Sequence, residues 1–223
     1  MEGVVVSDWA QSFKGLRVLL TGHSGFKGSW MSQWLIELGA DVVGFSLEPN
    51  TKPSHFEILK PKMESVWGDI RDTELLKKTV ARVRPELVIH MAAQPIVRAS
   101  YVDPVGTYMT NVMGTLYLFE ACRAVDSVRA IVNVTSDKCY ENVEQDRGYR
   151  ESDPLGGSDM YSSSKGAAEI LTRSYRKSFW PVADFETKHK TLLASVRAGN
   201  VIGGGDWAPY RLVPDAIRAI ESK

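Results

Sequence analysis

The stretch LRVLLTGHSGFKGSW, residues 16–30, decides the fold. Residues 16–21 are an apolar run of strand length, and the glycines at 22, 25 and 28 interrupt it where a helical pattern begins. That pattern runs through Trp30, Trp34, Leu35 and Leu38 to Gly39, which is placed to cap the helix. A second apolar run, residues 41–47, completes a β-α-β unit in about 30 residues, the span a parallel crossover requires. Glycines at such a junction permit a tight turn and let backbone N–H groups approach a pyrophosphate at the positive end of the helix.

The same alternation continues outward. Strands are expected near 65–68, 86–91, 130–135 and 191–197, helices over 73–83, 102–125, 160–179 and 213–220, and loops over 48–61, 141–157 and 181–190. This order specifies an α/β, doubly wound parallel sheet of Rossmann type, whose ligands bind at the carboxyl ends of the strands. No repeat or low-complexity tract breaks the pattern.

Composition narrows the function. The 223 residues carry 27 Lys and Arg against 27 Asp and Glu, so no basic field exists to neutralise nucleic-acid phosphates or hold an anionic membrane. No apolar run approaches the roughly 18 residues of a spanning helix. Residues 1–14 carry no export signal, which makes the cytoplasm the expected location. Cys122 and Cys139 are too few for a disulfide framework, and no metal-ligand spacing is present. His90, inside an apolar strand, is expected to be a hydrogen-bonded core residue; Trp30, Trp34, Met109 and Met113 are expected in the core.

Two groups of residues could carry chemistry. Tyr161 and Lys165 stand four apart on one helix face, where an ammonium beside a phenol favours the phenolate and lowers the Tyr pKa toward that of a general base. Ser136, Asp137 and Lys138 place a hydroxyl, a carboxylate and an ammonium together at a strand exit. Ser46 occupies the end of the second strand, where an acid usually holds the adenosine ribose, with Glu48 two residues on; NAD and NADP are both left open. Asp69 suits either an adenine amino group or a turn and capping role.

The segments LLTGHSGFKGSW, HMAAQPIVRASYVDP, TNVMGT, VTSDKCYEN, YSSSKGAAE and VRAGNVIGGGDWA together resemble the extended short-chain dehydrogenase/reductase superfamily, in its NAD-dependent epimerase/dehydratase branch. The resemblance implies NAD as cofactor and a small-molecule nucleotide sugar as substrate, with CDP-glucose dehydrated to the 4-keto-6-deoxy sugar. It implies cofactor contacts at Gly22, His23, Gly25, Phe26, Lys27, Gly28, Asp69, Ile70, Ala92, Ala93 and Gln94, joined by Tyr161 and Lys165. Tyr161 with Lys165 would be the base for the 4-hydroxyl, Ser136 would bind the 4-oxygen, and Asp137 would protonate the leaving 6-hydroxyl. Lys138 would either remove the C5 proton or polarise the ketone, while Asn200 and Arg211 would contact the sugar nucleotide. By the same resemblance, residues 1–200 form the cofactor domain and 201–223 begin a substrate-binding part, and copies would pair through helices 102–125 and 160–179. A 4-epimerase, sharing Tyr161 and Lys165 without needing Asp137 and Lys138, and a non-catalytic NAD-binding module remain the alternatives.

Overall fold

A computed structural model describes residues 9–222. Six strands form one sheet: β1 (Arg17–Thr21), β2 (Asp41–Ser46), β3 (Glu64–Trp67), β4 (Leu87–His90), β5 (Ala130–Val134) and β6 (Leu192–Val196). Their order is β3-β2-β1-β4-β5-β6 and every pairing is parallel. The winding reverses between β1 and β4, so the ligand crevice opens at the carboxyl ends of those strands.

The strand period of two sends alternate residues of β1 to opposite faces. Leu19 packs with Val43 and Phe45 against helices α3 (Thr73–Val83) and α6 (Gly114–Arg123), through Leu76, Val80, Leu118 and Phe119. Val18 and Leu20 pack on the other face with Val42, Ile89 and Leu35 of α1 (Phe26–Glu37). Gly39 ends α1 as expected, at φ +83° with its N–H on the Ile36 carbonyl at 2.9 Å. Residues 48–61 include a short helix, α2 (His55–Leu59).

The helix expected over 102–125 starts later and is not uniform. Val102 instead ends a separate helix, α4 (Val97–Val102), because Asp103 accepts from the Gly106 N–H at 2.8 Å and Pro104 opens α5 (Pro104–Tyr108) at its first turn. Residues Met109–Met113 are then a π-helical turn before α6. Helix α7 (Met160–Ser178) matches its expected span, and α8 (Leu212–Glu221) closes the described chain.

Trp30 and Trp34 are not core residues; they are 48% and 52% exposed. The buried face of α1 is instead Leu35, which joins the core, with Gly28, Ser29 and Ser32, small residues that let the helix lie close to the sheet. Trp34 packs edge-on against Trp9, and Trp30 lies on the His55 ring while its indole N–H donates to the Gly204 carbonyl at 2.9 Å. Met109 and Met113 are half-buried. Cys122 and Cys139 are buried and free. Among the described residues no helix is long and apolar enough to cross a membrane and no group of side chains could hold a metal ion. Part of the 1–14 segment read for export, residues 1–8, lies outside the described residues.

His90 is the hydrogen-bonded core residue the sequence suggests. Thr115 donates its hydroxyl hydrogen to the Asn111 carbonyl at 2.8 Å, so it accepts from His90 Nε2 at 3.0 Å. His90 Nδ1 then accepts from Thr21 Oγ1 at 2.7 Å, and Thr21 Oγ1 accepts from the N–H groups of Met91 and Ala92 at 3.1 and 3.2 Å. The network joins the carboxyl ends of β1 and β4 only with a neutral imidazole. Burial, helped by the charge of Lys165, pushes the His90 pKa from 6.5 down to about 3. Its contribution to stability is therefore full above pH 6.5 and is lost as pH falls toward 3. Urea titrations should show a loss of about 2 kcal/mol through this residue between neutral pH and pH 5. A His90→Asn variant, less stable at neutral pH, should lose less over the same window; an unchanged slope would place the dependence elsewhere.

Candidate active site at the strand ends

Close packing forces the glycine turn. Gly22 adopts φ +74°, and a Cβ there would lie 2.7 Å from the Ala92 nitrogen; a Cβ on Gly28 would lie 2.0 Å from the Gly22 carbonyl oxygen. Gly25 differs, since a Cβ on it would meet nothing closer than 3.5 Å. It is the N-cap of α1, with no side-chain cap and no acid in the first turn. The positive end of α1 is thus left uncompensated by the chain, as a site for an anion is.

His23 does not join this surface. Its imidazole is fully buried beneath β2, where a Cβ on Gly44 would lie 2.3 Å from the ring, and it bonds Ser65 Oγ at 3.0 Å and stacks on Trp67 at 5.1 Å. Burial pushes its pKa down to about 4. Only the backbone of His23 faces the turn's role. Lys27, the second residue of α1, is held below the usual lysine range by desolvation and by the nearby Arg211 guanidinium.

Around the crevice, Ser46 pairs with Ser24 at 2.5 Å, placing two hydroxyls where an acid was looked for. Asp69 is clamped by the Arg71 guanidinium and accepts the Arg71 N–H at 2.8 Å, while the cap of α3 is Asp72. Ile70 is buried against Gly114. Ala92, Ala93 and Gln94 leave β4 half-buried. The Gln94 N–H is accepted by Asn111 Oδ1 at 2.8 Å, and Asn111 Nδ2 donates to Ser164 on α7 at 2.9 Å.

Helix α7 begins at Asp159, whose carboxylate accepts the N–H groups of Tyr161 and Ser162 at 2.9 Å. Tyr161 and Lys165 share a face and both are buried, with the Lys165 ammonium 5.9 Å from the Tyr161 ring centre. The expected lowering of the Tyr161 pKa by Lys165 is not what the surroundings produce. Burial raises it, while a hydrogen bond with Ser136 and the charge of Arg211 oppose that rise. Burial and the charge of Lys27 instead push Lys165 down to about 8, against the pull of Glu169. Ser136 donates to Asp137 Oδ1 at 3.0 Å. Asp137 and Lys138 stand exposed on a 3₁₀ turn and line a cavity of about 370 Å³ with Tyr140, Tyr149, Asp159 and Ser162. Asn200 is exposed on the loop after β6, and Arg211 is half-buried with its Nε unpartnered.

Sequence reasoning gave no role to Glu169 and Arg197. Glu169, one turn beyond Lys165, is buried; it accepts from Thr135, from Ser195 at 2.7 Å and from the Arg197 guanidinium at 2.7 Å. Arg197 lies over the Tyr140 ring at 4.8 Å. This ion pair ties α7 to the ends of β5 and β6. The spacing Lys-x-x-x-Glu in YSSSKGAAE was the available signal, because it puts both charges on one helix face.

A parallel sheet in this order, with its glycine turn and Tyr-x-x-x-Lys helix, defines a protein of the short-chain dehydrogenase/reductase class. The chain belongs to the GDP-mannose 4,6 dehydratase family, whose model matches residues 19–183. It is 56% identical over 212 residues to the CDP-glucose 4,6-dehydratase of Salmonella typhimurium, covering 94% of this chain and 59% of that protein. Among solved structures, it is similar to the UDP-glucose 4-epimerase of Thermus thermophilus in complex with NAD, with 31% identity and TM-score 0.66 over 74% of this chain and 52% of that one. It is also similar to DesIV, the dTDP-glucose 4,6-dehydratase of Streptomyces venezuelae with NAD and TYD bound, with 26% identity and TM-score 0.77 over 93% of this chain and 62% of that one. The chain thus spans about three fifths of the length of the Salmonella relative.

The buried pair yields a stability prediction. Glu169→Gln removes the counter-charge of the half-buried Arg197 and weakens three hydrogen bonds to a buried carboxylate, and should cost about 2–3 kcal/mol in urea unfolding at neutral pH. A loss below 1 kcal/mol would show that the pair does not anchor α7.

Proposed function

We propose that the chain carries the cofactor and proton-transfer half of an NAD-dependent sugar-nucleotide 4,6-dehydratase acting on CDP-glucose in the cytoplasm. The observation that carries this reading is the gathering of Tyr161, Lys165, Ser136 and Asp137 beside an α1 N-terminus left bare by Gly22, Gly25 and Gly28.

The residues present fit the cofactor. Gly22 and Gly28 close the turn, and Gly25 leaves room for a pyrophosphate to reach the α1 N–H groups, with Lys27 adding a positive charge. Asp69 and Ile70 stand on the adenine side, and Ala92, Ala93 and Gln94 line the β4 exit. Bound there, NAD would supply the hydride acceptor for C4 of the glucosyl unit and the hydride donor for C6. Ser136 holds the 4-oxygen while Tyr161 takes the 4-hydroxyl proton at its phenol oxygen, and Lys165 supplies the positive charge that favours this transfer once anions offset Lys27. The 4-ketone acidifies C5–H, and Asp137 gives its proton to the departing 6-hydroxyl. Lys138, beside Asp137 on the same exposed turn, accepts the C5 proton as a neutral amine and returns it to C5 when hydride adds at C6. Asn200 and Arg211 contact the sugar nucleotide. The reading includes pairing of two copies through α5–α6 and α7, whose outer side exposes Ile170, a state that sedimentation reads directly.

Incubation of the purified chain with NAD and CDP-glucose should yield a product lighter by one water in mass spectrometry, and Tyr161→Phe should abolish it. An isobaric product would favour an epimerase, and cofactor retention with no turnover a binding module. Because the Lys165 pKa of about 8 rises when an anion offsets Lys27, NAD binding near pH 8 should take up protons. Calorimetry in two buffers of different ionisation enthalpy measures that uptake, and identical heats would remove Lys165 from the cofactor site.

A further inference from the structure

Residues 199–210 follow β6 and lead into α8, with Arg211 at their end. Among the described residues they make no backbone–backbone hydrogen bond. Arg218 of α8 donates to the carbonyls of Trp207 and Ala208 at 3.4 and 3.2 Å, which ties the segment to the helix it introduces and not to the sheet. Its one hydrogen bond to the rest of the described fold is donated by the Trp30 indole N–H to the Gly204 carbonyl at 2.9 Å. Tyr210 also meets the Arg98 guanidinium at 5.1 Å, a contact between two exposed side chains.

Trp30 is held where that bond needs it. Ser29 donates its hydroxyl hydrogen to the Phe26 carbonyl at 2.8 Å and therefore accepts from His55 Nδ1 at 2.6 Å. This fixes the His55 ring, and the Trp30 ring lies on it with 4.7 Å between centres. The loop closes onto the same histidine: a Cβ on Gly205, at φ +85°, would lie 2.2 Å from His55 Cδ2, and one on Gly203 would lie 3.3 Å from the Phe26 ring. Glycine at 203 and 205 lets the chain lie against these rings while Gly204 turns its carbonyl to the indole. Two segments far apart in the chain, GFKGSW and GGGDW, thus meet at one hydrogen bond. Burial does not account for Trp30, which is 48% exposed. Beyond the clamp, the Arg211 guanidinium is close enough to Lys27 and Tyr161 to bias both.

We propose that Trp30, seated on His55, is a positioning residue that holds residues 199–210 against α1 and thereby sets Arg211 over the crevice to receive the diphosphate of the substrate. The indole acts through Arg211 and touches no reacting atom. A segment with no backbone pairing of its own would otherwise be ordered at the moment of binding, at the expense of affinity. The proposal rests on the nucleotide-sugar reading above and deepens it, because affinity for the diphosphate then depends on a bond made on the exposed face of α1.

The test joins an NMR probe to calorimetric titration of the whole chain with CDP. The Trp30 indole resonance, identified by its loss in Trp30→Phe, should exchange its proton more slowly than the indoles of the urea-unfolded chain, and Gly205→Ala should remove that protection. Trp30→Phe and Gly205→Ala should each weaken CDP about 3- to 10-fold, the scale of one hydrogen bond. Arg211→Met should weaken it at least as much, and Trp30→Phe added to Arg211→Met should cost nothing further, because residues acting as one unit are non-additive. Trp30 is exposed and Gly205 lies in a loop, so thermal unfolding should stay near that of the parent. An unprotected Trp30 indole in the parent, CDP affinity unmoved by Trp30→Phe, or additive losses in the double variant each overturn the positioning role. Absence of CDP binding by the parent chain overturns it as well. If the coupling is found while CDP-glucose loses no water, the dehydratase assignment fails and the positioning role stands; water loss with additive penalties reverses that outcome.

Discussion

The approach of Gly22 to the backbone of Met91 and Ala92 is the constraint on which the rest of the crevice depends. No side chain fits between β1's exit and β4's exit, and none fits between Gly28 and the Gly22 carbonyl. These two contacts set the first turn of α1 against the sheet. The neutral imidazole of His90, bonded to Thr21 and Thr115, fastens the same two strand ends from within the core. A chain folded this way presents the bare end of a helix beside two parallel strands, and the chemistry is assembled around that opening.

Helix α7 is positioned by polar contacts along the first half of its buried face. Asp159 caps its start, Ser164 accepts from Asn111, and Glu169 receives Thr135, Ser195 and Arg197. Tyr161 and Lys165 sit between these anchors, so their geometry is imposed by neighbours rather than by their own spacing. The electrostatics follow from the same burial: Lys165 is lowered because Lys27 shares its surroundings and water does not. Adding anions to such a cluster is favourable, which couples occupancy of the crevice to the protonation of the groups that line it.

Much of this was legible in the chain. The strand-turn-helix of residues 16–30, the period-two strands and the helix carrying Tyr161 all appear close to their expected bounds, because each depends on local pattern. A helical pattern continues through Val102 while Asp103 and Pro104 start a new cap, and that break is signalled by only one or two residues. Trp30 and Trp34 lie outside the core for a different reason. Size suggested burial, but the sheet demanded close approach, and only Gly28, Ser29 and Ser32 are small enough to allow it. His23 went the same way: its position beside the glycines pointed to the ligand, and the space opposite Gly44 drew its ring inward.

By itself the sequence determined the class of fold, the strand and helix inventory, the glycine turn and the residue types able to move a proton. These are set by interactions a few residues apart, or by the need of apolar runs to be covered. The tertiary structure alone decided that Arg197 neutralises Glu169, that Lys27 and Arg211 share a field with Lys165 and Tyr161, and that burial raises Tyr161. Charge and desolvation act through space and depend on which groups are brought together after long crossovers. No spacing along the chain encodes that.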